Sequence, residues 1–445
     1  MHFRLEIKHV RPIESLTFEV DLSQHGLRCI VGKNGAGKTT LAKAIMNLAQ
    51  ADTFVRTSPD GVFDDTSSLR YSVGDDDYLF TYDPALRSVT TRKPVLAQHK
   101  TVASVEMPAP HGQRFTFFRT LADQDDDIRQ AVVLDRYEKP TALIEFLTNI
   151  YLDRRFEGLV EVRLRRGVCC CFVQPDKRYL REDYFSSGEY FLINLYRKVT
   201  QGFRLVVIDE IDISLDASTQ ARLAEELRRL CTLHKSTVVF TSHSLALMQT
   251  LEPGELYFLE RDVDTGVSKL SPMSFNGVKS LMFGFKGFDR YILTEDEVLT
   301  QFLNFVIQRY CVPTFFSYLV IKVGGAHQVT DLMRRNRKAE FLGPEAHVIS
   351  ILDGDQQRPD LPRGTYCIPL LNVETALQEL YRENEFVHRF EGGEKLKSKQ
   401  LYEAYTRSPQ RLSAEEIFSL LCDQHDHDMK QFAQTLAAFL CRPKA

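Results

Sequence analysis

The chain has 445 residues, 43% of them hydrophobic and 26% charged, with a formal net charge of −4. That length suffices for two or three domains with separate cores, and the composition is that of a soluble globular protein. No run approaches the roughly 18 apolar residues of a membrane span, and the slightly acidic balance argues against a protein that coats nucleic acid indiscriminately.

The first eight residues, Met1-His-Phe-Arg-Leu-Glu-Ile-Lys8, alternate polar and apolar side chains and enter a strand directly, unlike a signal peptide, so a cytoplasmic location is expected. A second alternating stretch, Leu16 to Val20, leads to Leu27-Arg-Cys-Ile-Val-Gly-Lys-Asn-Gly-Ala-Gly-Lys-Thr-Thr40. Here an apolar strand runs into Gly32-x-x-x-x-Gly37-Lys38-Thr39, and Leu41, Ile45 and Leu48 follow at helical spacing. This is a P-loop. Backbone N–H groups around Gly32, Asn34, Gly35 and Gly37 cradle phosphates, Lys38 reaches the β and γ oxygens, and Thr39, beside Thr40, offers a hydroxyl to Mg²⁺.

From about 51 to 180, short alternating runs such as Tyr78–Tyr82 and Phe115–Phe118, turn signals and acidic clusters predict a β-rich, partly helical arm inserted in the first domain. It lacks the sustained heptads of a coiled coil. Cys169-Cys-Cys171 sits in a β-like stretch, and with no C-x-x-C pair among nine cysteines the expectation is reduced, mostly buried thiols. The basic stretches Arg163–Arg166 and Arg334–Lys338 read as solvated faces that could touch phosphates.

After about 200 the pattern becomes strand, helix, strand, which implies a parallel α/β sheet. Leu205-Val-Val-Ile-Asp209-Glu210 is a buried strand ending in two carboxylates, Asp209 to hold Mg²⁺ and Glu210 to polarise the attacking water. Phe185-Ser186-Ser-Gly188-Glu189 opens an amphipathic helix upstream, while Ser214-Leu-Asp216 and Thr241-Ser-His243-Ser244 follow downstream. In this order the motifs resemble those of the ABC-type ATPases over residues 1–270 or so, with Ser187 where their signature has its first glycine. The resemblance implies that Ser186 and Gly188 of one head contact the γ-phosphate of ATP held by another, with Asp216 in the D-loop and His243 as the switch histidine. A chain with one head then works as a homodimer or a larger assembly of dimers. The Q-loop glutamine has two candidates, Gln98 and Gln113.

The segments around Ile30–Thr40 and Val207-Ile-Asp-Glu-Ile-Asp212 also look like the heads of the SMC-like and overcoming-lysogenization-defect (OLD) families, which act on nucleic acids or in defence against phage. A passage from about 253 to 288 predicts a domain junction, placing an ATPase domain at 1–275. Beyond it a second parallel α/β series, 285–380, puts acids at strand ends, where such sheets form ligand and metal sites: Glu295, Asp353, Asp355 and Glu374. The order resembles a TOPRIM domain, which implies that these four hold a divalent metal, Mg²⁺ or Mn²⁺. Thr-Glu-Asp replaces that family's Val-Glu-Gly, and Leu299 stands where its second acid is expected, with Glu297 nearby. Residues 381–445 read as helical, and His425-Asp-His-Asp428 as a solvated helix entry.

The expected fold is therefore α/β, an ABC-type head with an inserted arm followed by a smaller TOPRIM-like domain and a helical C-terminus. The expected function is an OLD-like ATPase of anti-phage defence in which ATP-driven dimerisation gates a metal-dependent nuclease. The alternative is an ATPase sensor that controls a separate toxin or nuclease, its TOPRIM-like domain serving for docking. Expected ligands are ATP, Mg²⁺, a second copy of the chain, and nucleic acid or an effector protein, with no membrane.

Overall fold

Alternation decides the first sheet. His2–Val10 and Ile13–Asp21 pair antiparallel with Phe3 opposite Val20 and Leu5 opposite Phe18, so that period two buries Phe3, Leu5 and Ile7 on one face. Ser68–Val73, Asp76–Asp83 and Ser88–Thr90 extend this into a five-stranded antiparallel sheet. The structure is a computed structural model and describes residues 1–59, 61–108, 114–165, 167–262 and 264–441. It forms two compact units, Met1–Met273 and Ser274–Ala445.

The first unit's second sheet has six strands in the order Ser268–Pro272, Leu256–Arg261, Gly26–Val31, Thr237–Thr241, Leu205–Ile208, Ala103–Glu106. All neighbours are parallel except the edge strand Ser268–Pro272. Every residue of Leu205–Ile208 and Thr237–Thr241 is buried, which explains their unbroken β-branched and apolar runs. The edge strand Ser268–Pro272 and its neighbour Leu256–Arg261 lie inside the passage 253–288, and the division between the units follows at Met273.

Of the span 51–180, the strands up to Ser88–Thr90 join the N-terminal hairpin and Ala103–Glu106 joins the parallel sheet. The remainder is built from the helices Arg114–Asp123, Asp125–Val133 and Thr141–Tyr151 and a three-stranded antiparallel sheet, Tyr179–Arg181, Gly167–Val173 and Leu159–Leu164. Phe115–Phe118, expected as an alternating strand-like run, is helical instead. Phe117 and Leu121 stand one turn apart and pack with Ile128, Val132, Val162, Cys169 and Cys171, so the 3.6-residue period wins. All nine cysteines are free, and seven are buried.

The second unit has a four-stranded parallel sheet in the order Tyr318–Lys322, Arg290–Thr294, Val348–Leu352, Thr365–Cys367. Alternation sorts its two faces. Ile292, Ile349 and Ile351 pack on one side with Phe302, Leu303 and Val306 of the helix Glu297–Tyr310, in a core shared with Phe418, Leu421 and Leu436 of the C-terminal helices Ala414–Gln424 and Asp426–Leu440. Leu293, Val348 and Leu352 meet Val329 and Met333 of Ala326–Ala339 on the other. Among the described residues no helix is long and apolar enough to cross a membrane.

Candidate functional site

The strand Gly26–Val31 delivers the chain into the P-loop, and the helix Lys38–Asn47 starts directly after Gly37. Gly37 has φ 103°, and a Cβ there would lie 2.6 Å from Ile13 Cγ1, so the residue must be glycine. No side chain caps this helix, which leaves its first N–H groups to a ligand. Asn34, Gly35 and Thr39 are exposed, Thr40 half-buried. Lys38 is buried, and its Nζ donates to the carbonyl oxygens of Gly32 at 2.8 Å and Lys33 at 3.4 Å. Burial pulls its ammonium pKa down, against the opposing attraction of Asp209, Glu210 and Asp212.

Those acids follow the strand Leu205–Ile208. Asp209 is 4% exposed; its Oδ1 accepts the Thr241 hydroxyl proton at 2.7 Å, while Oδ2 is buried with no hydrogen-bond partner. A buried carboxylate oxygen without a donor is costly. A divalent cation is the kind of ligand such an unpartnered oxygen takes. Glu210 adopts φ +56°, a left-handed conformation costly for a non-glycine residue, and its N–H donates to the same Thr241 oxygen at 2.7 Å. Thr241 thus staples two consecutive carboxylate residues to the neighbouring strand.

His243 is exposed, and its backbone N–H faces both Asp212 carboxylate oxygens at 3.4 Å. Buried Gln220 joins the segments around it: its amide donates to the carbonyls of Leu215 at 2.7 Å and Asp212 at 3.1 Å and accepts the Ser244 hydroxyl. Sequence reasoning missed Gln220. Its only signal is its place four residues after the cap Asp216 on the helix Ala217–His234.

Asp216 is that helix's N-cap, accepting from the N–H groups of Ser218 and Thr219 and from both hydroxyls, which hold its carboxyl well below the usual range. Ser186 caps Ser187–Thr200 in a reciprocal box with Glu189: the Ser186 N–H donates to Glu189 Oε2 at 2.8 Å, and the Glu189 N–H to Ser186 Oγ at 3.3 Å. A Cβ on Gly188 would lie 2.8 Å from the Ser214 carbonyl oxygen and 2.9 Å from the Tyr151 hydroxyl. Gly188 is therefore packed tightly on the Ser214-Leu215 segment of its own chain. Gln98 is exposed on the short helix Ala97–Lys100, and Gln113 lies outside the described residues.

In the second unit, Glu295 follows Arg290–Thr294, Asp353 follows Val348–Leu352, Asp355 lies in the next turn, and Glu374 stands in the first turn of Val373–Arg382. The N–H of Asp353 donates to Glu295 Oε1 at 3.0 Å. Burial, then the charges of Glu295, Asp296, Glu374 and Asp355, push the Asp353 carboxyl up to about 8. Burial also raises Glu295 and Glu374. The four acids thus share one electrostatic environment, yet among the described residues no three His, Cys, Asp or Glu side chains form a ready metal-holding group. Glu297 turns to Lys322 at 3.4 Å, and Leu299 is buried. Around His425–Asp428 the helix Asp426–Leu440 begins, with Asp426 paired to Lys430 at 2.8 Å. In the basic stretches, Arg163 pairs with Glu138 and Arg337 with Glu345, while Arg166 lies outside the described residues.

Residues 4–70 match the family described as "AAA domain", and residues 190–249 the family described as "AAA domain, putative AbiEii toxin, Type IV TA system". Over 113 residues the chain is 28% identical to the oligopeptide transport ATP-binding protein OppF of Mycoplasma genitalium, 24% of this chain and 13% of OppF. Over 72 residues it is 35% identical to the phosphonates import ATP-binding protein PhnC of Lactobacillus johnsonii, 16% of this chain and 28% of PhnC. The first unit carries a P-loop ATPase domain similar to the ABC-type ATP-binding proteins of these transport systems. The chain spans only 13% and 28% of the lengths of these two relatives. A solved Smc head bound to the C-winged helix domain of ScpA aligns with a TM-score of 0.43 at 15% identity, covering 61% of this chain and 97% of that one.

Proposed function

We propose that this chain hydrolyses ATP between two copies of itself and that the cycle gates the acidic strand-end site of its second unit, a TOPRIM-like nuclease centre, in an OLD-like system of anti-phage defence. The observation that carries the ATPase reading is the buried Asp209 oxygen without a donor, on the strand end where Glu210 is held by Thr241 and whose charge Lys38 feels. Lys38 and the N–H groups of Asn34, Gly35 and Gly37 bind the phosphates. Thr39 and Asp209 hold Mg²⁺, which when bound screens phosphate charge. Glu210 takes the proton of the attacking water, and His243 orients the γ-phosphate. Ser186, Gly188 and Asp216 serve the ATP of the second copy. Glu295, Asp353, Asp355 and Glu374 hold Mg²⁺ or Mn²⁺ next to a nucleic-acid phosphodiester.

A second reading keeps the ATPase and makes the second unit a docking platform for a separate toxin or nuclease. It is favoured by the lack of a ready metal-holding group among the described residues, and the family description over 190–249 names a toxin–antitoxin system.

The ATPase common to both readings and the role of the second unit are tested separately. Glu210→Gln should lower ATP turnover by about 10²–10⁴-fold, the usual worth of a general base, and accumulate an ATP-bound dimer in sedimentation velocity. Unchanged turnover overturns the assignment of Glu210. With wild-type ATPase residues, Mn²⁺-dependent cleavage of DNA or RNA that disappears in Asp353→Ala supports the nuclease. A stable complex with a co-expressed effector and no intrinsic cleavage supports docking.

A further inference from the structure

The helix Ser187–Thr200 begins with a charge conflict. Its N-terminal N–H groups and dipole favour an anion at Ser186–Gly188, but Glu189 puts a carboxylate one turn into the helix, only 8% exposed. Left uncompensated, that charge repels a triphosphate and offsets the attraction of the helix end. One Glu189 oxygen accepts the Ser186 N–H. The other, Oε1, lies 2.8 Å from Nη2 of Arg155.

Arg155 comes from the arm, on the single 3₁₀ turn Arg154–Gly158 between the helix Thr141–Tyr151 and the strand Leu159–Leu164. Asp153 caps this turn by accepting the Arg155 N–H at 2.9 Å, and its second oxygen takes the guanidinium Nε at 3.2 Å. The guanidinium lies 4.9 Å from the ring centroid of fully buried Phe156 and 5.6 Å from that of Tyr151. The same Tyr151 hydroxyl limits the space at Gly188. A planar cation is thus set against two rings with its Nε on Asp153 and its Nη2 on Glu189. No ATPase motif accounts for this placement.

We infer that Arg155 is a positioning residue of the two-copy ATP site: it neutralises and orients Glu189 so that the signature helix accepts the γ-phosphate held by a second copy of the chain. The inference rests on the two-copy reading above. It makes the arm part of the nucleotide site, because withdrawing the turn Arg154–Gly158 unmasks the Glu189 carboxylate where the phosphate docks. A ligand that shifts the arm therefore controls closure without touching the P-loop.

The test is ATP-dependent association of the full chain in the Glu210→Gln background, followed by sedimentation velocity. Arg155→Ala should weaken association roughly ten- to thirtyfold, the scale of one partly screened charge near a phosphate, while ATP affinity of the single chain stays unchanged. Arg155→Lys should keep most of the association. Glu189→Gln retains a capping group and should restore association to the Arg155→Ala protein. If Glu210→Gln alone forms no ATP-dependent dimer, the two-copy reading fails and takes the inference with it. A dimer that survives Arg155→Ala unchanged overturns the inference alone. So does a loss that Glu189→Gln does not rescue, since charge compensation is then not what Arg155 supplies.

Discussion

Acidic side chains gather in both units, and they are handled in opposite ways. In the ATP-binding unit Asp209 meets Thr241, Asp216 meets four donors, and Glu189 meets a backbone N–H and Arg155. In the second unit Asp353 is surrounded by Glu295, Asp296, Asp355 and Glu374, and the interactions between them are repulsive. The first arrangement is specified by the chain itself, with one Asp209 oxygen left over for a ligand. Burial and like charge in the second favour an added proton or an added cation. Geometry in the head therefore reports a fixed machine, whereas at the strand ends it reports a demand for charge.

Substitutions in the head should break geometry. The largest effect is expected at Gly188, where an added methyl meets the Ser214 carbonyl oxygen at 2.8 Å and the Tyr151 hydroxyl at 2.9 Å. Gly188→Ala must displace the segment around Ser214 or the helix Ser187–Thr200, a local cost of about 1–3 kcal/mol. ATP turnover should fall at least tenfold while single-chain nucleotide binding, measured by calorimetry, is retained. Normal turnover in this variant would show that the contact between Gly188 and Ser214 has no part in the cycle. Thr241→Val should come next. It leaves Asp209 Oδ1 and the Glu210 N–H without partners, costing about 1–3 kcal/mol; turnover and melting temperature should drop together, and Thr241→Ser should restore both.

The head was legible where its chemistry is contiguous in sequence. Leu27–Thr40 and Leu205–Glu210 each carry a strand, a turn and the polar groups of the motif in one short contiguous stretch, so local pattern is enough. Thr241 and Gln220 were opaque as clasps, because their partners are brought together by the parallel register of Leu205–Ile208 with Thr237–Thr241 and by the fold of the D-loop. Arg155 was opaque for the same reason, lying 34 residues from the carboxylate it pairs with. The alternating strands between Ser68 and Thr90 were visible as strands, but alternation does not name a partner, and theirs is the N-terminal hairpin. Phe115–Phe118 misled because four residues are too few to tell period two from period 3.6. In the second unit the acids were legible as strand-end residues; their mutual repulsion required the structure.

The remaining prediction concerns the second unit and decides between nuclease and platform. The Asp353 carboxyl titrates near 8 when folded, raised by burial and by the surrounding acids, and near 4 when unfolded. Between those values the folded chain holds a proton that the unfolded chain has lost. This contribution to stability is therefore complete below about pH 4 and is lost as pH rises toward 8. In chelator, raising the pH from 6 to 9 should lower the melting temperature, and Asp353→Asn should reduce that fall. Each 1 kcal/mol corresponds to about 2–4 °C in a unit of this size. A bound cation substitutes for the missing proton, and at a concentration of 100 times its dissociation constant it stabilises the folded state by about 2.7 kcal/mol. Magnesium or manganese at pH 8–9 should then restore the melting temperature of the wild-type chain and leave Asp353→Asn unmoved. A platform that holds no metal predicts the same pH-dependent fall with no recovery in either protein, because its acids repel one another whether or not they ever cut a phosphodiester.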